Sequence, residues 1–131
     1  MMGETISTRP DWLNKKILVV EDEDHNYAYI YEILKKTRAI IFRAENGFKA
    51  VEIVKREAID IVLMDIKLPE MDGYKATVEI KKFRPSLPVI AQTAFAMEKE
   101  RIECLNAGCD DYIAKPYEPS KLIERIKVFL P

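Results

Sequence analysis

Acidic side chains stand at the ends of apolar runs in this chain. Ile61-Val62-Leu63-Met64 runs straight into Asp65, and Ile17-Leu18-Val19-Val20 runs into Glu21-Asp22. Each run is continuous rather than alternating, the pattern of a strand buried on both faces. Leu87 to Gln92 ends at Thr93, and Tyr112-Ile113-Ala114 ends at Lys115. Open α/β sheets bind ligands at the carboxyl ends of their strands. If the first and third strands are neighbours there, three carboxylates converge with an ammonium and a hydroxyl beside them. Ionised together, the carboxylates repel one another. A hard divalent cation relieves that repulsion, and an all-oxygen ligand set suits Mg²⁺. With Lys115 as a further cation and Thr93 as a donor, the inventory suits holding a phosphoryl group on a carboxylate.

The elements that must position these groups follow from periodicity and punctuation. After the first strand a helix is expected from about Asn26 to Lys36, with Tyr27, Ile30, Ile33 and Leu34 on one face and Asp24 or Asn26 as its N-cap. Ile40-Ile41-Phe42 is a second strand, and Asn46-Gly47 turns the chain into a helix reaching about Glu57, with Val51 and Val54 inward. Beyond Asp65, Pro69 and Asp72-Gly73 mark a turn, and a helix runs from Tyr74 to about Phe83, closed by Arg84-Pro85. Met97 to Asn106 is a helix stopped at Ala107-Gly108, the glycine at a C-cap position. The last helix spans about Pro119 to Leu130, with Leu122, Ile126 and Phe129 facing the core. Residues 1–14 carry no periodicity and read as a tail or linker, from which Trp12 and Leu13 dock on the edge of a domain covering 15–131. Five strands alternating with five helices across short loops demand a parallel sheet covered on both faces. The fold class is doubly wound α/β.

Composition bounds the function. The 131 residues make one domain with a sizeable core. The 21 basic and 22 acidic residues nearly cancel, giving net charge −1, so nothing argues for direct nucleic-acid binding. No apolar run approaches the roughly 18 residues of a membrane helix, and the polar N-terminus lacks the apolar core of a secretory signal. No membrane contact by the domain is therefore expected, and the setting is cytoplasmic, as a free protein or as a cytosolic part of something larger. Cys104 and Cys109 then read as reduced thiols. His25 is the single histidine and reads as a surface residue at the start of a helix. Glu70 and Asp72 read as turn residues, and Asp110-Asp111 as a solvated loop.

Val20-Glu21-Asp22, the block Leu63-Met64-Asp65-Ile66-Lys67-Leu68-Pro69-Glu70-Met71-Asp72-Gly73, Thr93-Ala94 and Lys115-Pro116 together resemble the receiver domain of response regulators in two-component signalling. The resemblance covers about residues 16–130. It implies a flavodoxin-like (βα)5 sandwich with strand order 2-1-3-4-5. It implies that Asp65 takes a phosphoryl group from the phosphohistidine of a sensor kinase or phosphotransfer protein. Glu21, Asp22, Asp65 and the Lys67 backbone carbonyl would hold Mg²⁺, and Lys115 would pair with the carboxylate and then with the phosphoryl oxygens. Thr93 and Tyr112 would be switch residues, Thr93 turning toward the phosphoryl group and Tyr112 following inward. The responding surface would be the fourth helix, fifth strand and fifth helix, around Arg101, Tyr112 and Leu122, with weak homodimer formation through it. The Lys115–Pro116 bond is expected to be cis.

The chain departs from the family pattern at Glu21, where Asp is more usual. Lys67 and Phe95, two residues beyond Asp65 and Thr93, occupy positions that vary in the family and affect phosphoryl lifetime. A haloacid-dehalogenase-type phosphatase would also use an Asp nucleophile and Mg²⁺, but it usually carries a second Asp where this chain has Lys67. A pseudo-receiver that binds partners without phosphorylation is the other rival, and intact Asp65, Thr93 and Lys115 weigh against it. Two contexts stay open. The chain is similar to the carboxy-terminal receivers of hybrid histidine kinases, through Pro10 to Ile17, Ile90 to Ala94 and Gly108 to Pro116. A stand-alone regulator is the alternative.

Overall fold

The computed structural model describes residues 10–94 and 97–131. Five strands alternate with five helices: β1 (Lys16–Val20), α1 (Asp24–Leu34), β2 (Ile40–Ala44), α2 (Gly47–Arg56), β3 (Ile61–Asp65), α3 (Gly73–Phe83), β4 (Val89–Thr93), α4 (Glu98–Ala107), β5 (Asp111–Ala114) and α5 (Pro119–Lys127), with a short 3₁₀ turn, Lys35–Thr37, after α1. All strand pairs are parallel, and the order is β2-β1-β3-β4-β5. The expected fold class and strand order are both present. Phe95 lies outside the described residues. No helix among the described residues is long and apolar enough to cross a membrane.

The apolar strands explain the two layers. Side chains alternate across a pleated strand, so a continuous apolar run supplies both faces at once. Leu18, Val20, Val62, Met64, Val89 and Ala91 go to one side, with Ala50, Ile53 and Val54 of α2 and Ala76 and Ile80 of α3. Ile17, Val19, Ile61, Leu63, Ile90 and Ile113 go to the other, under Ile30, Ile33 and Leu34 of α1 and Leu122 and Ile126 of α5. Helix α4 is the least committed: Cys104 is its only buried residue, while Ile102 and Leu105 stay exposed.

Local chemistry sets the helix ends. Asn46 and Asp72 cap α2 and α3, each side chain accepting from the backbone N–H three residues on, so Asp72 does more than mark a turn. Gly108 ends α4 at φ +101°, a left-handed conformation that glycine adopts without penalty. Helix α1 corrects an expectation. Its N-cap is Glu23, which makes no capping bond with its side chain; that side chain accepts instead from Asn26 Nδ2, and Asp24 turns to Arg43, 3.0 Å away. Asp110-Asp111 is likewise no solvated loop. Asp110 pairs with Lys81 at 2.7 Å and accepts from the Val89 N–H, while Asp111 starts β5 and pairs with Arg125. Cys104 and Cys109 are free and buried, and burial pushes the Cys109 thiol up to about 12.

Trp12 belongs to the core, although its surroundings in sequence carry no periodicity. Its ring is 2% exposed within the α1–α5 layer. Its Nε1 donates to the Leu130 carbonyl at 2.9 Å, and its backbone N–H donates to Thr37. Leu13, expected to dock with it, is exposed. Trp12→Ala should lower the free energy of unfolding by about 3–5 kcal/mol, the usual cost of truncating a buried aromatic. Urea titration followed by circular dichroism measures this, and a loss below about 1 kcal/mol would contradict a core role.

Candidate functional site

Strand order decides which side chains meet. Because β1 and β3 are neighbours, with Val20 opposite Met64, the residues that follow them emerge together at the carboxyl edge. Glu21 is wholly buried, Asp65 is 6% exposed and Asp22 is exposed. Oxygens of Glu21, Asp22 and Asp65 lie within 4.8 Å of one another, close enough to share a metal ion. Lys115, delivered by the end of β5, places Nζ 3.4 Å from a carboxylate oxygen of Glu21 and 3.4 Å from one of Asp65. The Lys115–Pro116 bond is cis. Thr93, at the end of β4, is buried at the same edge. A cleft of about 450 Å³ opens over these groups.

The electrostatics are unbalanced. Burial raises the Glu21 carboxyl above the ordinary carboxylate range, the nearby Asp65 charge raises it further, and Lys115 offsets only part of this. Asp65 accepts from the backbone N–H of Lys67 at 3.3 Å; the Lys67 side chain is exposed. Helix α3 starts hard against this loop: the Gly73 N–H donates to the Ile66 carbonyl at 2.9 Å. A Cβ on Gly73 would collide with the Asp65 carbonyl and lie 2.8 Å from Ile66 Cα. Only a glycine lets the acceptor loop and the helix approach so closely.

All the carboxylates, the lysine and the threonine singled out from sequence therefore stand at one edge. Tyr112 lies one strand away, opposite Ala91 and packed beside the α2–α3 layer. Leu122, expected on a responding surface with Arg101 and Tyr112, is wholly buried and is a core residue. Sequence reasoning overlooked Arg43. It donates through Nε and Nη2 to the Glu21 carbonyl at 3.2 and 3.1 Å, stacks 4.6 Å from the Tyr27 ring centroid, and pairs with Asp24. It thereby fixes the loop that carries Glu21 and Asp22. The available signal was an arginine in an otherwise apolar second strand. Gln92, wholly buried beside Asp65, was overlooked for the same reason: one polar residue inside Val89-Ile90-Ala91-Gln92. Glu100 and Glu103 of α4 also reach the cleft.

Comparison with known proteins agrees with this geometry. Residues 17–127 match the response regulator receiver domain. The chain is 37% identical over 128 residues to the sensor protein GacS of Pseudomonas syringae pv. syringae, covering 94% of this chain and 14% of that protein. It is 37% identical over 130 residues to hybrid signal transduction histidine kinase B of Dictyostelium discoideum, covering 88% of this chain and 7% of that one. The chain thus spans a small fraction of the length of both. Among solved structures, the receiver domain of sensor histidine kinase PA1611 from Pseudomonas aeruginosa PAO1, with a magnesium ion coordinated in its active-site cleft, superposes with a TM-score of 0.84. Their identity is 35%, over 89% of this chain and 98% of that one. With the parallel sheet in order 2-1-3-4-5 and the acidic edge already in place, the chain belongs to the response regulator receiver domain family.

Proposed function

We propose that this receiver takes a phosphoryl group from phosphohistidine onto Asp65 and relays it within a hybrid sensor histidine kinase pathway, in the cytoplasm. The observation that carries the reading is Lys115 Nζ standing 3.4 Å from Asp65 at the open end of a buried acidic cluster. The Asp65 carboxylate attacks phosphorus in line with the leaving imidazole. A P–O bond forms as the P–N bond breaks, and the imidazole leaves with the electron pair and takes up a proton. Lys115 follows the charge from the carboxylate to the phosphoryl oxygens, and Thr93 supplies a hydroxyl donor. The relatives at 37% identity are a sensor protein and a hybrid signal transduction histidine kinase, and the solved receiver at 35% identity is that of a sensor histidine kinase, which supports the hybrid context. Partners are then a phosphohistidine domain of the kinase or a phosphotransfer protein.

The donor set fits Mg²⁺. Three carboxylates have oxygens within 4.8 Å of one another, and the Glu21 carboxyl is raised first by burial and then by the neighbouring Asp65 charge, which Lys115 offsets only in part. Glu21, Asp22, Asp65 and the Lys67 carbonyl would hold the ion, which when bound neutralises charge developing on the phosphoryl oxygens. The longer Glu21 side chain supports contact through water. In the switch, phosphorylation shifts a two-state equilibrium only by its differential contacts. Helix α4, held by one buried residue, and β5 with Tyr112 form the element with least to lose on moving. The exposed Ile102 and Leu105 support weak homodimer formation across this face.

Two outcomes test the site. Incubation with acetyl phosphate and Mg²⁺ should add one phosphate to the intact mass, with no adduct in chelator and none on Asp65→Asn. Uptake on Asp65→Asn equal to the wild type would overturn the assignment. The second is a dependence on pH. A carboxyl raised in the fold binds more protons in the native state than in the unfolded one, so stability falls as pH rises from its ordinary value of 4.5 through its native value. Glu21→Gln should therefore stabilise the protein in chelator at pH 7.5 and change little at pH 4. Saturating Mg²⁺ should raise the wild-type unfolding midpoint at pH 7.5 and raise that of Glu21→Gln less. Equal Mg²⁺ shifts in both proteins would remove Glu21 from the site.

A further inference from the structure

Gln92 is a wholly buried carboxamide in the central sheet. It sits opposite Asp65 in the β3–β4 register, and parallel neighbours in register point to the same face. That face is the α1–α5 side, where Leu63 and Ile90, two residues earlier on each strand, pack together. The backbone carbonyl of Gln92 accepts from the Ile66 N–H at 3.1 Å, so β4 holds the residue that follows Asp65. The side chain is held as well. Tyr117, two residues after Lys115, donates its hydroxyl to Gln92 Oε1 at 2.6 Å. Tyr117 is itself tied to the first helix, its carbonyl accepting from the Tyr29 hydroxyl at 2.7 Å and its ring 6.1 Å from that of Tyr29.

This arrangement satisfies the oxygen of the amide and leaves the nitrogen. Gln92 Nε2 is buried and has no hydrogen-bond partner among the described residues. A buried donor without a partner is costly, and an apolar side chain of the same shape would avoid that cost. The amide therefore has a use that the resting state does not display. Gln92 lines the same cleft as Glu21 and Asp65, and the carboxylates are the anionic acceptors there. With Tyr117 taking the oxygen, the donor end is the one left for them.

We propose that Gln92 is a positioning residue for phosphoryl uptake, which rests on the reading of Asp65 as the acceptor. Its Nε2 donates to the acceptor carboxylate, directly or through one water, when Asp65 turns to meet the phosphoryl donor. Tyr117 keeps the carboxamide in the orientation that makes this possible. Gln92 touches neither the phosphoryl group nor the leaving group and acts through Asp65.

The test compares wild type, Gln92→Leu, Tyr117→Phe and the double variant. Initial phosphorylation rates are read by intact mass against acetyl phosphate concentration, with Mg²⁺ saturating, beside urea midpoints. Gln92→Leu should lower the maximal rate on the order of tenfold, the scale of one lost hydrogen bond, with the half-saturating donor concentration unchanged. Its urea midpoint should stay close to that of the wild type, because removal of the unsatisfied buried donor offsets the loss of the bond from Tyr117. Tyr117→Phe should slow the reaction several-fold and add nothing in the Gln92→Leu background. Should the branched leucine fail to fold, Gln92→Met keeps the length and supplies the same comparison. A wild-type rate in Gln92→Leu overturns the proposal, as does a rate loss that only follows a fallen midpoint. Absence of uptake by the wild type itself would overturn the acceptor reading, and this one with it.

Discussion

Mutual repulsion among carboxylates held at the carboxyl edge of one sheet is the constraint on which the rest of this domain depends. Glu21 and Asp65 are buried side by side because β1 and β3 are paired. Leaving two anions this close raises the free energy of the metal-free fold. Lys115 offsets part of that cost from the end of β5. The remainder is a standing affinity for positive charge, on which the proposed ion draws. The cluster is thus unstable by itself and suited to a cation, and on the proposed reading that cation and Lys115 together offset the negative charge that a phosphoryl group brings.

Rigidity is distributed to match. The edge carrying the carboxylates is supported by apolar side chains on both faces, by the Arg43 fork on the Glu21 carbonyl, and by the Gly73 contact that presses α3 against the acceptor loop. Helix α4 and β5 are attached more lightly, and α4 contributes one buried residue. On the proposed reading, a charge change at this stiff edge would act on the element that costs least to displace, the sheet keeping the site residues in register.

Much of this was legible in the residues because continuous apolar runs ending in Asp65, Glu21, Thr93 and Lys115 carry both strand identity and the placement of charge. The alternation of strands and helices then restricted the topology to a parallel, doubly wound sheet. What was not legible came from contacts remote in sequence. Trp12 reaches Leu130, 118 positions away, and nothing local marks it as core. Asp110, in the loop before β5, reads as solvated because its partner Lys81 lies on α3, remote in sequence. Leu122 is buried, as the apolar stripe of α5 requires, and for that reason it does not belong to the responding surface expected around Arg101 and Tyr112. Single polar residues inside apolar strands, Arg43 and Gln92, were passed over because periodicity averages them away. Such residues are expensive to bury, and each here serves the acidic edge or stands beside it.

On the proposed reading this edge makes Asp65, and not a neighbouring carboxylate, the covalent acceptor. Borohydride reduction of the phosphorylated protein converts an aspartyl phosphate to homoserine, and tandem mass spectrometry of the digested chain locates it. The account predicts homoserine at position 65 alone, in amounts that follow Mg²⁺-dependent uptake. Homoserine at position 22, or phosphate uptake that yields none, would contradict it.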